Sequence, residues 1–178
     1  MTRFLVTTGP ESSGKTTLAT QLAASLQAPL IEEASRDYLT ALYQRQPGTT
    51  YGEADLLAIA QLQHQREQVA LQQNPSTIVC DTDLLVIIVW SEVKYGHVDR
   101  WMVNTFEQSL QRQPRLYFVC DPEIPWQYDP LREHPAERAM LFDRYRDKLM
   151  QYGCDYLHVR GDEKTRLQLS LNRFSSPP

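Results

Sequence analysis

Apolar residues in this chain come in short unbroken runs, separated by longer stretches where they recur every three or four positions. The runs lie at 4–8, 29–32, 77–80, 116–120 and 156–159, and several carry β-branched or aromatic side chains. Apolar runs of this length predict strands buried on both faces, as in a parallel sheet. The intervening periodicity predicts helices over 15–26, 35–44, 53–73, 83–94, 100–111, 136–151 and 164–174. The third is expected to be ~30 Å long, at ~1.5 Å per residue. This alternation predicts an α/β fold in three layers, a five-stranded parallel sheet with helices on both faces. No repeat or Gly/Ser-rich linker divides the chain, so residues 1–178 are expected to form one domain. Proline is dense only in 121–135, and the terminal Ser-Ser-Pro-Pro is expected to fray.

Composition narrows the class only slightly. Apolar residues make up 42% and charged residues 22%, as in ordinary soluble folds. A net charge of -4 argues against a nucleic-acid surface, which needs an excess of Lys and Arg. A phosphate ligand needs only a few donors in one place. The longest apolar stretch, 84–90, is far below the ~20 residues of a membrane span. With no signal peptide visible at the N-terminus, the expectation is a cytoplasmic protein with no membrane partner. Cys80, Cys120 and Cys154 have neither disulfide-framework nor zinc-site spacing and read as small core residues, which suits a reducing compartment.

Chemistry enters at Gly9-Pro10-Glu11-Ser12-Ser13-Gly14-Lys15-Thr16. The spacing is G-x-x-x-x-G-K-[ST], the Walker A pattern, placed between a strand and a helix. Glycines let the backbone curl so that successive N–H groups face one point, and the helix dipole faces it too. The expected ATP contacts are Gly9, Glu11, Ser12, Ser13, Gly14, Lys15, Thr16 and Thr17. Lys15 is expected to reach the β- and γ-phosphates, Thr16 to ligate Mg²⁺ and Thr17 to donate to the α-phosphate. A strand ending in Asp81 supplies a second candidate Mg²⁺ ligand. Asp83 reads either as a substrate contact or as the cap of the helix that follows.

Three features separate kinase from switch, motor and sensor. The chain is short, and it lacks the NKxD motif of guanine-specific switches. Glu33, Arg36 and Tyr38 follow the second strand, whose carboxyl edge opens beside the phosphate loop where an acceptor belongs. Ile124-Pro125-Trp126-Gln127-Tyr128-Asp129-Pro130-Leu131-Arg132, with Arg138 beyond, reads as an arginine-bearing lid over 121–138. Such a lid excludes water and stabilises charge on the transferred group. Trp126 reads as a ligand-stacking ring or as the lid's anchor.

Together, GPESSGKTTL, E-x-x-R-x-Y, Asp81-Thr82-Asp83 and IPWQYDPLR resemble the nicotinamide riboside kinase domain of NadR-type proteins, over about residues 4–160. Gln63-His64-Gln65-Arg66 is similar as well. The resemblance implies a P-loop small-molecule kinase fold with a small arginine lid. The implied reaction is phosphoryl transfer from ATP, with Mg²⁺, to the 5′-hydroxyl of nicotinamide riboside, a step of NAD salvage. It implies ATP and Mg²⁺ roles for Lys15 and Thr16, and the strand-end acid at Asp81. Glu33 and Arg36 match the acceptor site; Trp126, Asp129 and Arg132 match the lid motif. Either Glu33 or Asp81 is expected to orient the acceptor hydroxyl, and Arg132 and Arg138 to neutralise developing charge. Two departures stand out. The nucleotidyltransferase domain of bifunctional relatives does not fit in 178 residues, so adenylylation and repression are not expected. Some relatives have an aromatic where this chain has Glu32, which leaves the ring-stacking partner open, with Tyr38 or Trp126 as substitutes. His64 reads as a helix-surface or core residue. The rival readings are a kinase for another nucleoside or nucleotide, and a non-enzymatic ATP-binding sensor.

Overall fold

The computed structural model describes residues 1–128 and 136–176. Along the chain it forms β1 (Arg3–Thr8), α1 (Lys15–Leu26), β2 (Leu30–Ile31), α2 (Ala34–Arg45), α3 (Glu53–Leu71) and β3 (Thr77–Asp81). Then come α4 (Leu84–Tyr95), α5 (Arg100–Arg112), β4 (Arg115–Cys120), α6 (Arg138–Gln151), β5 (Asp155–Val159) and α7 (Glu163–Ser175). All strand pairs are parallel, in the order β2-β3-β1-β4-β5.

The unbroken apolar runs are explained by two cores. Side chains alternate across a strand, so successive residues of the central strands serve opposite faces. Phe4, Val6, Ile78, Cys80, Tyr117 and Val119 face a core completed by α2 to α6. Leu5, Val79, Leu116, Phe118 and Cys120 face a second core, closed by α1 and α7. Cys80 and Cys120 are buried free thiols, as their sequence setting suggests, and burial pushes the Cys120 thiol up to about 12.

Element boundaries differ from the sequence pattern by a residue or two, and three of these differences bear on the site. The second strand shortens to Leu30–Ile31, and Glu33 stands in the cap position of α2. The α4 helix begins at Leu84, after Asp83, whose carboxylate accepts from Leu85 N at 3.0 Å. The α6 helix begins at Arg138, with Glu137 in the cap position.

The topology places the site. Thr7 of β1 pairs with Asp81 of β3 on one side and Phe118 of β4 on the other, so these three strands end together. The strand order reverses direction around β1, and the crevice beyond the carboxyl ends at such a point is where parallel α/β sheets bind ligands. Among the described residues, no helix is long and apolar enough to cross a membrane.

Candidate active site

The loop between β1 and α1 has a backbone that few side chains tolerate. Gly9 has φ +131°, and a Cβ there would lie 2.8 Å from the Cys120 carbonyl oxygen. Gly14 has φ +83°, with a Cβ clashing at 2.9 Å with Ile124. Ser12, at φ +54°, is a non-glycine residue in the left-handed region. That strain belongs to a curled loop held in place by its surroundings.

The curl leads into a helix with an open N-terminus. α4, α5 and α7 are each capped by an aspartate side chain: Asp83, Asp99 and Asp162. α1 has no side-chain cap and no acid in its first turn. Its first N–H groups and the positive dipole end therefore remain open to an anion.

Lys15, Thr16 and Asp81 meet at the mouth of this loop. Lys15 Nζ donates to Pro10 O at 2.8 Å, folding back over the loop. Thr16 Oγ1 donates to Asp81 Oδ2 at 2.6 Å, and Thr7 Oγ1 to Asp81 Oδ1 at 3.5 Å. Asp81 is only 4% exposed. Burial raises its carboxyl pKa; Thr16 and Lys15 oppose that rise, and the Glu33 charge adds to it. A buried carboxylate beside a hydroxyl is a hard-oxygen donor pair that suits Mg²⁺, which keeps most of its ligands as water and substrate phosphate. Thr16 and Asp81 thus fit the metal role read from the sequence.

A cavity of about 290 Å³ runs from this loop into the space between α2, α4 and α6. Residues 9–17 form one end. Glu33, Ser35 and Arg36 line the middle, where Ser35 Oγ donates to Glu33 Oε1 at 2.6 Å. The far wall is apolar: Leu39 from α2, Val86, Trp90 and Val93 from α4, and Leu141 and Tyr145 from α6. Trp90 packs edge-on against Tyr51, with ring centroids 5.2 Å apart. Burial raises the Tyr145 hydroxyl, and the nearby charges of Glu33 and Glu11 raise it further. Ile124, Pro125 and Gln127 roof the cavity from the segment after β4.

The other expected positions fall elsewhere. Asp83 does not line the cavity; it is fully buried and accepts from Arg115 at 3.0 Å and Tyr117 Oη at 2.7 Å. Arg115 also donates to Glu67 at 2.5 Å, so Asp83 is a helix cap within a buried ionic network. The cause is local: Thr82, at φ +69°, turns the chain between the two aspartates and sends their side chains different ways. Tyr38 is also off the wall, because its hydroxyl donates to Asp55 at 2.8 Å. Trp126 is half-buried but not a lining residue. Asp129 and Arg132 lie outside the described residues. Arg138 donates to backbone carbonyls of the phosphate loop. His64 is half-buried against Trp101, with burial lowering its pKa, and it lies away from the cavity. Its neighbour Gln63 is structural, accepting from Ala34 N at 3.0 Å and donating to Thr82 O at 3.4 Å.

A family model described as the AAA domain matches residues 4–166. The chain belongs to the AAA-domain family. No curated protein matches this AAA-domain chain significantly. Among solved structures, thymidylate kinase from Ehrlichia chaffeensis is similar at TM-score 0.72 and 16% identity, covering 98% of this chain and 99% of that one. Deoxyadenosine kinase from M. mycoides, with products dCMP and dCDP bound, is similar at TM-score 0.61 and 17% identity, with 98% of each chain covered. NadR protein in complex with NR is similar at TM-score 0.68 and 18% identity. That match covers 98% of this chain and 52% of the other, so the AAA-domain chain spans about half the length of NadR. At these identities the similarity shows the fold, which this chain shares with nucleoside and nucleotide kinases.

Proposed function

We propose that this protein is an ATP-dependent kinase that phosphorylates the 5′-hydroxyl of a riboside, with nicotinamide riboside as the acceptor. One observation carries the reading: a single cavity joins an open phosphate loop to an aromatic, apolar slot, with a carboxylate at the junction. A riboside has a planar ring for the slot and a hydroxyl for the junction. The solved NadR complex with NR, similar in fold, supports this choice of acceptor.

In this reading, the loop N–H groups and Lys15 hold the triphosphate. Lys15 exchanges its bond to Pro10 O for phosphate oxygens. Glu33, oriented by Ser35, accepts the hydrogen bond of the acceptor hydroxyl and takes its proton as the bond to phosphorus forms. The bond between the γ-phosphorus and the β–γ bridging oxygen breaks, and ADP leaves. Thr16 and Asp81 are the residues that would hold Mg²⁺, which would supply neutralisation of the phosphate charge. The transition state is loose, so alignment and electrostatics carry more of the catalysis than base strength. The segment over the cavity excludes water, and the charge-neutralising role of Arg132 rests on the sequence motif.

A second reading has a nucleoside monophosphate as acceptor, favoured by Arg36 on the cavity wall and by the thymidylate kinase fold match. A panel decides between them. Nicotinamide riboside, other ribosides, deoxynucleosides and nucleoside monophosphates are each offered with ATP–Mg²⁺, and products are weighed by mass spectrometry. Nicotinamide mononucleotide is the expected main product. Efficient turnover of another acceptor with none of nicotinamide riboside overturns the substrate assignment. ATP consumption without any phosphorylated product points to a sensor.

A further inference from the structure

A phosphate loop that turns its N–H groups inward turns its carbonyls outward, and each buried carbonyl needs a donor. Here four consecutive carbonyls accept from side chains. Pro10 O accepts from Ser13 Oγ at 2.7 Å and from Lys15 Nζ at 2.8 Å. Glu11 O and Ser12 O accept from one guanidinium, that of Arg138, at 3.1 and 2.9 Å. Ser13 O accepts from Arg166 at 2.5 Å.

Those two arginines come from α6 and α7, far along the chain. Each also grips the segment after β4. Arg138 donates to Ile124 O at 2.7 Å, and Arg166 to Asp121 O at 3.1 Å and Glu123 Oε1 at 2.9 Å. Arg166 is 2% exposed and also donates to Gly161 O at 2.8 Å. The rigid fork of a guanidinium can span two carbonyls at once, which an ammonium cannot do with fixed geometry.

We infer that Arg138 and Arg166 are positioning residues that hold the outward carbonyls of the phosphate loop and thereby aim its amides at the β-phosphate. This gives Arg138 a different task from direct neutralisation of the transferred group. Its hydrogen bonds to Glu11, Ser12 and Ile124 go to neutral backbone oxygens. The inference rests on the ATP-site half of the proposed function and is independent of the acceptor.

The test compares ADP with a non-hydrolysable ATP analogue, both with Mg²⁺, by titration calorimetry on the full chain. Half-buried Arg138 carries the test, as Arg138→Met and Arg138→Lys, because removal of buried Arg166 also disturbs packing. The amides cradle the β-phosphate, which ADP and the analogue share. Both ligands are therefore expected to weaken by the same factor in both variants, about ten- to a hundredfold, the scale of one lost hydrogen bond to a charged group. Unchanged ADP affinity with weakened analogue affinity overturns the inference in favour of a direct γ-phosphate contact. Unchanged affinity for both, or full retention in Arg138→Lys, overturns it as well. Wild-type protein that binds ADP but phosphorylates no acceptor overturns the kinase reading instead and leaves this inference standing.

Discussion

The two ends of the cavity are built in opposite ways. The proposed phosphate end is drawn from nine consecutive residues, 9–17, and shaped by glycines whose replacement would collide with Cys120 or Ile124. The proposed acceptor end takes its far wall from three helices, α2, α4 and α6, that meet only in the finished fold. A backbone cradle recognises what all nucleoside triphosphates share. A wall of side chains can change one residue at a time, so acceptor choice should be the more easily altered property. If this contrast is right, changes at the two ends should separate cleanly in kinetics.

The largest effect belongs at the phosphate end. Lys15→Ala is expected to lower kcat on the order of 10³-fold, the size seen when one electrostatic stabiliser is removed. Acceptor binding, measured by calorimetry without nucleotide, should stay within about twofold. A Lys15→Ala protein with near-normal turnover would remove the central assignment.

Next come the two aspartates flanking Thr82, which the chain sends into different environments. Asp83→Ala leaves Arg115 and Tyr117 short of a buried partner and strips the α4 cap. Breaking such a network costs about 3–5 kcal/mol, to be read from urea unfolding. Asp81→Asn keeps its shape and removes a charge that burial already disfavours. Its stability should stay within about 1 kcal/mol of wild type, while turnover collapses. If the two variants behaved alike, the division between metal ligand and structural anion would fail.

That division marks how far the sequence could be read. Asp81 stood out because a strand ending in an acid, beside a glycine-rich loop, has one common use, and the structure sets it against Thr16. Asp83 stood open between two roles because its partners, Arg115 and Tyr117, lie 32 and 34 residues after it in sequence. The strands and helices were legible because two-sided burial leaves an unmistakable apolar run. The acceptor wall was not. Val86, Trp90 and Val93 do share one helical face by spacing, but residues 84–89 of α4 are buried all round. Nothing in such a helix says which face meets the ligand. Tyr38 and Trp126 stood out as rings beside motifs, and neither lines the cavity.

At the junction of the two ends, Glu33→Gln is expected to lower acceptor kcat/KM about 10²-fold, the usual scale for one acid–base group. ADP affinity should not change. A loss confined to ADP binding would instead move Glu33 to the phosphate end.

The smallest predicted effect tests the acceptor wall itself. Trp90 is half-buried, lines the slot, and leans on Tyr51 rather than on the ligand loop. Stacking on one aromatic ring is worth about 0.5–1.5 kcal/mol beyond area burial. Trp90→Leu should therefore raise acceptor KM by no more than about tenfold, since ~1.4 kcal/mol is a factor of ten. ATP KM and kcat at saturating acceptor should both hold. Trp90→Phe keeps a ring and should recover most of the affinity, which a purely volumetric role would not predict. The Tyr51 contact complicates the leucine variant by loosening the helix end, so unfolding by urea must be measured beside it. Lost stability with unchanged acceptor KM would make Trp90 a packing residue and leave Tyr145 as the ring facing the acceptor.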